Sequence, residues 1–276
     1  MATQAAVNQE RNPDMQATVQ PTISRNHVVP AAYDFRSDYV TIPTVAMLQS
    51  IASTTLNDDV GMEDPTTNDF QAFIAQLTGH EDALFVLSGT MGNQIALRAA
   101  LTTPPYSVVA DQRSHIARME VGGPATLCGA QLREIMASNG HHLTLEDVQT
   151  RTSNTLGGVI FPVDEAARIS HWARSQDPPI PMHLDGARLW EAVAADAGSL
   201  QEYCRLFDSV QLCLTKGLGA PIGPVIVGNR ALVQRARWVR DNMLEGRIVV
   251  HYQICDDAVH RLYRVMAASF IASEAL

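Results

Sequence analysis

The only lysine of the chain follows a short apolar segment. Residues 209–221 read SVQLCLTKGLGAP, in which Lys216 stands immediately before Gly217, and every other one of the 20 Lys and Arg residues is an arginine. A guanidinium stays protonated and cannot form an imine, whereas a desolvated amine can lose its proton and act as a nucleophile. Retention of one lysine here indicates imine chemistry, although a lysine at a strand end can also simply extend into solvent.

Two further apolar segments end at residues that could bind a ligand. The segment ALFVL is followed by Ser88, Gly89 and Thr90, and then by a helical pattern. Small hydroxyls, a glycine and the N–H groups of a helix N-terminus form an anion-binding turn, although the same sequence is also a common helix cap. The segment YSVVAD is followed by a loop that contains His115, a residue type that is usually solvated when it occurs alone in a loop.

The segment IPMHLD (180–185) ends in a carboxylate. His183 and Asp185 are two residues apart, so they share one face of a strand. A carboxylate at the end of a buried strand requires a cationic or N–H partner. Arg188 or His183 would be the ordinary partner, and the protonated ring nitrogen of a bound cofactor would be the functional one.

Together, these four strand ends predict a site for pyridoxal 5'-phosphate. The anion-binding turn would hold the phosphate, and His115 would face the ring. Asp185 would hold the pyridinium nitrogen, and Lys216 would form the imine. The combination is far more specific than any one of its members.

The elements that would position these residues alternate between short apolar strands and helical patterns. Besides the segments already quoted, GGVIFP (157–162) and PVIVG (224–228) have strand patterns, and residues 163–174 and 230–240 have helical ones. This alternation predicts an α/β fold with a mostly parallel sheet flanked by helices. Ligands in such folds bind at the carboxyl ends of the strands, which would bring the four strand ends together.

Composition limits the class of partner. A net charge of −9 argues against nonspecific binding to nucleic acid or to an anionic membrane, and no apolar run reaches the roughly 20 residues of a membrane span. The first 33 residues are polar and lack the apolar core of a signal peptide, so we expect a disordered extension. Scattered cysteines without a CxxC motif predict reduced thiols and a cytoplasmic location: Cys128, Cys204, Cys213 and Cys255.

The chain resembles the low-specificity L-threonine aldolase family, a beta-eliminating lyase group of the aspartate-aminotransferase-like enzymes of PLP fold type I. The motifs that carry the resemblance extend from residue 34 to about residue 240 and are highly specific together. They are DFRSDYVTIPT (34–44), NDDVGMEDPT (57–66), ALFVLSGTMGNQIAL (83–97), SHIARMEVGG (114–123), HLDGARLW (183–190) and SVQLCLTKGLGAPIG (209–223).

The resemblance implies how the cofactor would be held. Lys216 would carry pyridoxal phosphate as a Schiff base, Asp185 would hold the pyridinium N–H, and His115 would stack on the ring. The turn after ALFVL would bind the phosphate through Gly89 and Thr90, which follow Ser88.

The resemblance also implies a substrate and a reaction. Arg188 and Ser37, from the DGAR and RSD motifs, would contact the substrate carboxylate or the phenolic oxygen of the cofactor. A base would remove the β-hydroxyl proton of an L-threonine-type amino acid, and the Cα–Cβ bond would break to give glycine and an aldehyde. His115, Glu120 and water are all possible bases, whereas His183 would lie behind the site.

Three features depart from the family pattern. Gly61 and Met62 stand where relatives usually have an aromatic residue and a glycine. A strand that relatives have is missing near residues 149–154, so we expect its neighbours to close up. After Arg240, relatives continue into a small C-terminal domain. The implied organisation is an extension (1–33), a PLP-binding large domain (34–240) and a divergent helical tail (241–276) that replaces the small domain.

Three functional hypotheses follow. The first is a lyase acting on L-threonine or L-allo-threonine, and the second is an alanine racemase, because fungal alanine racemases resemble the same family. The third is a catalytically defective or mis-spliced family member. Fold type I enzymes usually place the site at a subunit interface, so the resemblance also implies a homo-oligomer.

Overall fold

The computed structural model of the protein describes residues 33–150 and 160–242. The predicted extension, apart from its last residue, and the tail beyond residue 242 lie outside the described residues. The strands are β1 (Asp82–Phe85), β2 (Ser107–Asp111), β3 (Gln131–Ile135), β4 (His183–Gly186), β5 (Ser209–Cys213) and β6 (Pro224–Gly228). The helices are α1 (Val45–Ala52), α2 (Pro65–Thr78), α3 (Gly89–Ala100), α4 (His115–Arg118), α5 (Gly123–Thr126), α6 (Leu145–Thr150), α7 (Val163–Arg174), α8 (Leu189–Ala194), α9 (Leu200–Cys204) and α10 (Arg230–Asn242).

The main sheet has four strands in the order β1, β6, β5, β4. Strands β4 and β5 are parallel, whereas β6 is antiparallel to both of its neighbours, β1 and β5. Consequently β1, β4 and β5 all run in one direction, and their carboxyl ends lie at the same edge of the sheet. The α/β fold is therefore confirmed, with a sheet that is mixed because of β6.

Strands β2 and β3 form a separate parallel pair. Among the described residues, neither strand forms a ladder with the main sheet, which ends at β4. The expectation that the strands close up around the missing one is therefore not met in this part of the chain. β2 and β4 each keep an outer edge that no described strand covers.

The predicted strand at 157–162 is wrong where it can be examined. Residues 157–159 lie outside the described residues, and residues 160–162 form no strand. The carbonyl of Phe161 accepts a hydrogen bond from Tyr203 Oη at 2.8 Å, and the extended backbone of Pro162 caps the start of α7. A side chain and a helix cap thus take the place of a strand partner.

Both faces of the main sheet are covered. Every residue of β5 and β6 is buried. On β6, Val225 and Val227 pack on one side with α2 and α9, while Ile226 packs on the other side with α3 and α10. This two-sided burial explains why β6 reads as a continuous apolar run, whereas β5 also contains the buried polar residues Ser209 and Gln211.

Substitution of Leu212 by alanine is expected to lower the free energy of unfolding by about 2–5 kcal/mol, because Leu212 is fully buried in β5 and the cavity would collapse only partly. Urea denaturation of the purified protein measures the change. Leu56→Ala is the matched control, since Leu56 is 92% exposed and its replacement should cost about 0.5 kcal/mol or less. Equal losses in the two variants would contradict the assignment of β5 to the core.

Within residues 33–150 and 160–242, none of the helices has the length and apolar character that crossing a bilayer requires. The three cysteines in these ranges are buried free thiols. Burial raises the pKa of the Cys128 thiol to about 11 and that of the Cys204 thiol to about 12, so both are inert near neutral pH.

Candidate active site

Three of the predicted site segments lie at the carboxyl edge of the main sheet. β1 leads to Ser88, β4 contains Asp185, and β5 leads to Lys216. Because β4 and β5 are parallel, with Asp185 paired to Gln211, the carboxylate and the lysine segment leave the sheet side by side. This is the edge at which ligands bind in α/β folds.

The structure brings His115 and Asp185 together around a third residue, Glu120. One polar atom from each of these side chains lies within 4.8 Å of the other two. His115 Nδ1 is 2.8 Å from Glu120 Oε1. Asn93 Nδ2 donates to both carboxylates, at 3.0 Å to Asp185 Oδ2 and at 2.9 Å to Glu120 Oε1.

Glu120 is the buried centre of this cluster, since its side chain is 0% exposed. Besides its contacts with Asn93 and His115, it accepts a hydrogen bond from Gln94 Nε2 at 2.5 Å. An ionised carboxylate can only accept hydrogen bonds, so Nδ1 of His115 carries the proton between them. Nε2 of the half-exposed His115 ring is then the nitrogen that remains for a ligand.

His183 lies behind Asp185 and faces the protein interior. Its Nδ1 is 2.8 Å from Ser209 Oγ, and its Nε2 is 3.2 Å from Asn93 Oδ1. Burial lowers the pKa of His183 to about 4, against the opposing attraction of Asp185, so the ring is neutral at neutral pH. This position suits the supporting role expected for His183.

The segment that carries Lys216 packs against the 3-10 turn Asp38–Val40 and the residues after it. Thr41 Oγ1 donates to the carbonyl of Thr215 at 3.0 Å, and Gly217 N–H donates to the carbonyl of Asp38 at 3.5 Å. Lys216 is half-buried, and none of the ion pairs among the described residues engages it. Its amine is therefore available to a ligand.

The glycine after Lys216 is favoured by its backbone conformation. Gly217 has φ +65°, and a Cβ on it would lie 2.3 Å from Glu191 Oε1. A side chain at this position would force the flexible Glu191 side chain to move, and the positive φ would be strained for any residue other than glycine. The spacing of lysine and glycine in the sequence therefore has a steric cause.

Arg188 and Ser37 also contact each other, but Asp38 already accepts hydrogen bonds from the Arg188 guanidinium. Arg188 donates to Asp38 through Nε and Nη2, both at 2.6 Å, and Nη2 is 3.4 Å from Ser37 Oγ. These hydrogen bonds are the main cause that lowers the pKa of Asp38, and the charge of Lys216 adds to it. Two nitrogens of the guanidinium are thus committed to Asp38, which leaves Nη1 without a hydrogen bond among the described residues.

The anion-binding turn forms the start of α3. Ser88 is the cap residue, and its Oγ accepts a hydrogen bond from Met91 N at 3.1 Å. Its oxygen is therefore engaged within the helix cap, and the N–H groups of Gly89 and Thr90 are the first-turn donors without a partner inside the helix. Thr90 is exposed and adds a hydroxyl.

Three polar residues of the site were missed at the level of the sequence. Asn93 and Gln94 are each 2% exposed in α3, and Asp38 pairs with Arg188. For Asn93 and Gln94, the signal in the sequence was an adjacent pair of amides on the apolar face of a helix, because buried amides need hydrogen-bond partners.

The donor set fits pyridoxal phosphate. A helix N-terminus with a hydroxyl suits a phosphate, and an exposed carboxylate at the end of β4 suits a protonated ring nitrogen. The Lys216 amine has no ion pair among the described residues, so it suits attack on the aldehyde carbon of pyridoxal phosphate.

The profile of the beta-eliminating lyase family matches residues 34–254. Among curated proteins, aldolase vrtJ of Penicillium aethiopicum is 49% identical over 256 residues, covering 87% of this chain and 64% of its own length. Alanine racemase TOXG of Cochliobolus carbonum is 42% identical over 78% of this chain and 59% of its own length. A low-specificity L-threonine aldolase of Candida albicans is 44% identical, over 74% and 59% respectively.

The chain thus spans about three fifths of the length of these curated relatives. Among solved structures, a putative L-allo-threonine aldolase of Listeria monocytogenes superposes with a TM-score of 0.62 at 28% identity. The superposition covers 75% of this chain and 63% of that protein. The resemblance predicted from the motifs is confirmed, and the chain belongs to the beta-eliminating lyase family.

Proposed function

We propose that this protein is a pyridoxal-phosphate-dependent aldehyde-lyase that cleaves L-threonine- or L-allo-threonine-type β-hydroxy amino acids to glycine and an aldehyde. The observation that carries the proposal is the cluster of His115, Glu120 and Asp185 at the carboxyl edge of the sheet, where the segment that contains Lys216 also leaves the neighbouring strand β5. The similarity to aldolases and an L-threonine aldolase supports the same reaction class.

Each residue has a task that its surroundings suit. When bound, pyridoxal phosphate supplies an electron sink for the pair released at Cα. Lys216 would hold the cofactor covalently, and Asp185 would keep a proton on the ring nitrogen. The start of α3 would bind the phosphate, and Arg188, oriented by Asp38, would bind the substrate carboxylate through Nη1.

The geometry favours His115 over Glu120 as the group that takes the β-hydroxyl proton. Glu120 has no exposed side-chain surface, and three donors already surround its oxygens. His115 is 41% exposed, and Glu120 fixes the proton on Nδ1 so that Nε2 can accept one. A water molecule bound to Nε2 would serve in the same way.

Alanine racemisation is the second candidate function, and the 42% identity to alanine racemase TOXG favours it. Both reactions use the same cofactor and the same lysine. They differ in the bond that breaks, which is Cα–Cβ in the lyase and Cα–H in the racemase. A racemase must also return a proton to either face of Cα.

A product assay is expected to show glycine and acetaldehyde from L-threonine or L-allo-threonine when the purified protein is supplied with pyridoxal phosphate. The competing assay measures D-alanine from L-alanine. D-alanine without acetaldehyde would replace the lyase proposal by the racemase. Neither product, with the wild type equal to Lys216→Ala, would refute both.

We further propose that the protein forms a homo-oligomer and works in the cytoplasm. The support for an oligomer is α1, which has no buried residue and exposes Val45, Leu48 and Ile51. The support for the cytoplasm is the set of buried, reduced thiols. The division into an extension, a large domain (34–240) and a divergent tail also remains a proposal.

A further inference from the structure

Asn93 lies at the centre of the polar network, in the middle of α3 and 2% exposed. Its side chain connects three residues from different parts of the chain. Nδ2 donates to Asp185 Oδ2 at 3.0 Å and to Glu120 Oε1 at 2.9 Å, and Oδ1 is 3.2 Å from His183 Nε2. A buried amide with all these contacts is held in one orientation.

The partners determine which way the amide faces. Both carboxylates can only accept when ionised, so the NH₂ group must face Asp185 and Glu120. Oδ1 then faces His183, which donates from Nε2. The neutral His183 ring has Nδ1 as an acceptor, and the hydroxyl of Ser209 donates to it at 2.8 Å. A continuous hydrogen-bonded path thus runs from Ser209 on β5 to the two carboxylates.

One oxygen of Asp185 and one of Glu120 lie within 4.8 Å of each other. Two carboxylates at this distance repel each other unless donors lie between them. Asn93 places a single NH₂ group against one oxygen of each. On the other side of Asp185, Oδ1 accepts a hydrogen bond from Ala187 N at 3.2 Å. Both oxygens of Asp185 are thereby fixed, and the plane of the carboxylate is set before any ligand arrives.

We propose that Asn93 is a positioning residue that orients the Asp185 carboxylate toward the ring nitrogen of the cofactor and links it to the Glu120–His115 pair. The inference rests on the proposed pyridoxal phosphate function and deepens it. Asn93 acts through Asp185, so its loss should change how the ring nitrogen is held.

The neighbouring Gln94 provides a matched control. It is also 2% exposed and lies in the same helix, and its Nε2 donates to Glu120 Oε2. No hydrogen bond joins its side chain to Asp185 among the described residues. Asn93→Ala therefore removes donors from both carboxylates, whereas Gln94→Ala removes one from Glu120 alone.

The test measures two properties of wild type, Asn93→Ala and Gln94→Ala: the Kd of pyridoxal phosphate by absorbance titration, and the ring-nitrogen chemical shift with ¹⁵N-labelled cofactor. We expect Asn93→Ala to raise the Kd about tenfold or more, as the loss of a hydrogen bond to a charged group does, and to shift the ¹⁵N signal. Gln94→Ala should change the Kd by about threefold or less and leave the signal in place.

Similar Kd changes in both variants with an unmoved ¹⁵N signal would overturn the inference while leaving the proposed function intact. A wild type that binds no cofactor would overturn both. Should Asn93→Ala fail to fold, Asn93→Leu keeps the approximate volume and removes the NH₂ donor without adding a charge. That variant is expected to move the ¹⁵N signal in the same way, and an unmoved signal in it would again overturn the inference.

Discussion

Replacement of Lys216 by alanine is expected to abolish covalent attachment of pyridoxal phosphate and to lower kcat by on the order of 10⁴- to 10⁶-fold, as the loss of a covalent catalytic group does. The reason is that Lys216 is the only lysine of the chain, so no other side-chain amine can replace it. Its position beside Asp38, without an ion pair among the described residues, leaves the amine available to the cofactor.

The measurement takes advantage of this single lysine. Protein loaded with cofactor is reduced with borohydride, digested and analysed by mass spectrometry. The modified peptide should contain Lys216, and the N-terminal amine serves as the internal control for nonspecific reaction. Lys216→Arg retains the positive charge near Asp38 but cannot form an imine, so it separates the covalent role from the electrostatic one.

Two outcomes would contradict the role of Lys216. One is a borohydride-stable adduct of equal yield in wild type and Lys216→Ala, and the other is an activity in Lys216→Arg close to that of the wild type. A variant that binds cofactor reversibly and without turnover would agree with the proposal. Circular dichroism of each variant checks that the fold is kept.

The sequence predicted β6 well because burial on both faces makes Val225, Ile226 and Val227 an unbroken apolar run. In β5 the buried Gln211 interrupts the run between Val210 and Leu212. An apolar run carries no information about strand direction, so the antiparallel course of β6 was not predicted. An apolar run also does not show whether a strand partner is present. This produced the wrong strand over 160–162, where Tyr203 donates the hydrogen bond that a neighbouring strand would have donated.

The missed site residues share a physical cause. Asn93 meets Asp185 across 92 positions of the sequence, and Asp38 meets Arg188 across 150. No local periodicity encodes such a contact, since it depends on how α3 and the 3-10 turn Asp38–Val40 pack on the sheet. Lys216 was different, because its rarity in the composition marked it without knowledge of a partner.

The second large effect is expected for Asp185→Asn, which should lower kcat by on the order of 10³-fold, comparable with the loss of a preorganised electrostatic group. An amide carries no negative charge, so it cannot favour a proton on the ring nitrogen. The ring would then accept electrons from Cα less readily. Asn93 can still donate to the side-chain oxygen of the new asparagine, so most of the fold should be unaffected.

Asp208→Asn separates this effect from the general loss of a carboxylate near the same strand. Asp208 Oδ2 accepts a hydrogen bond from Met182 N at 2.8 Å, at the amino end of β4 and three residues before Asp185. Its replacement should alter the thermal midpoint while leaving kcat and the absorption band of the bound cofactor unchanged. Asp185→Asn should lower kcat and change the absorption band of the bound cofactor while leaving the thermal midpoint close to that of the wild type. If Asp185→Asn keeps the kcat of the wild type, the carboxylate of β4 is not the partner of the ring nitrogen, and the proposed orientation of the cofactor must be rejected.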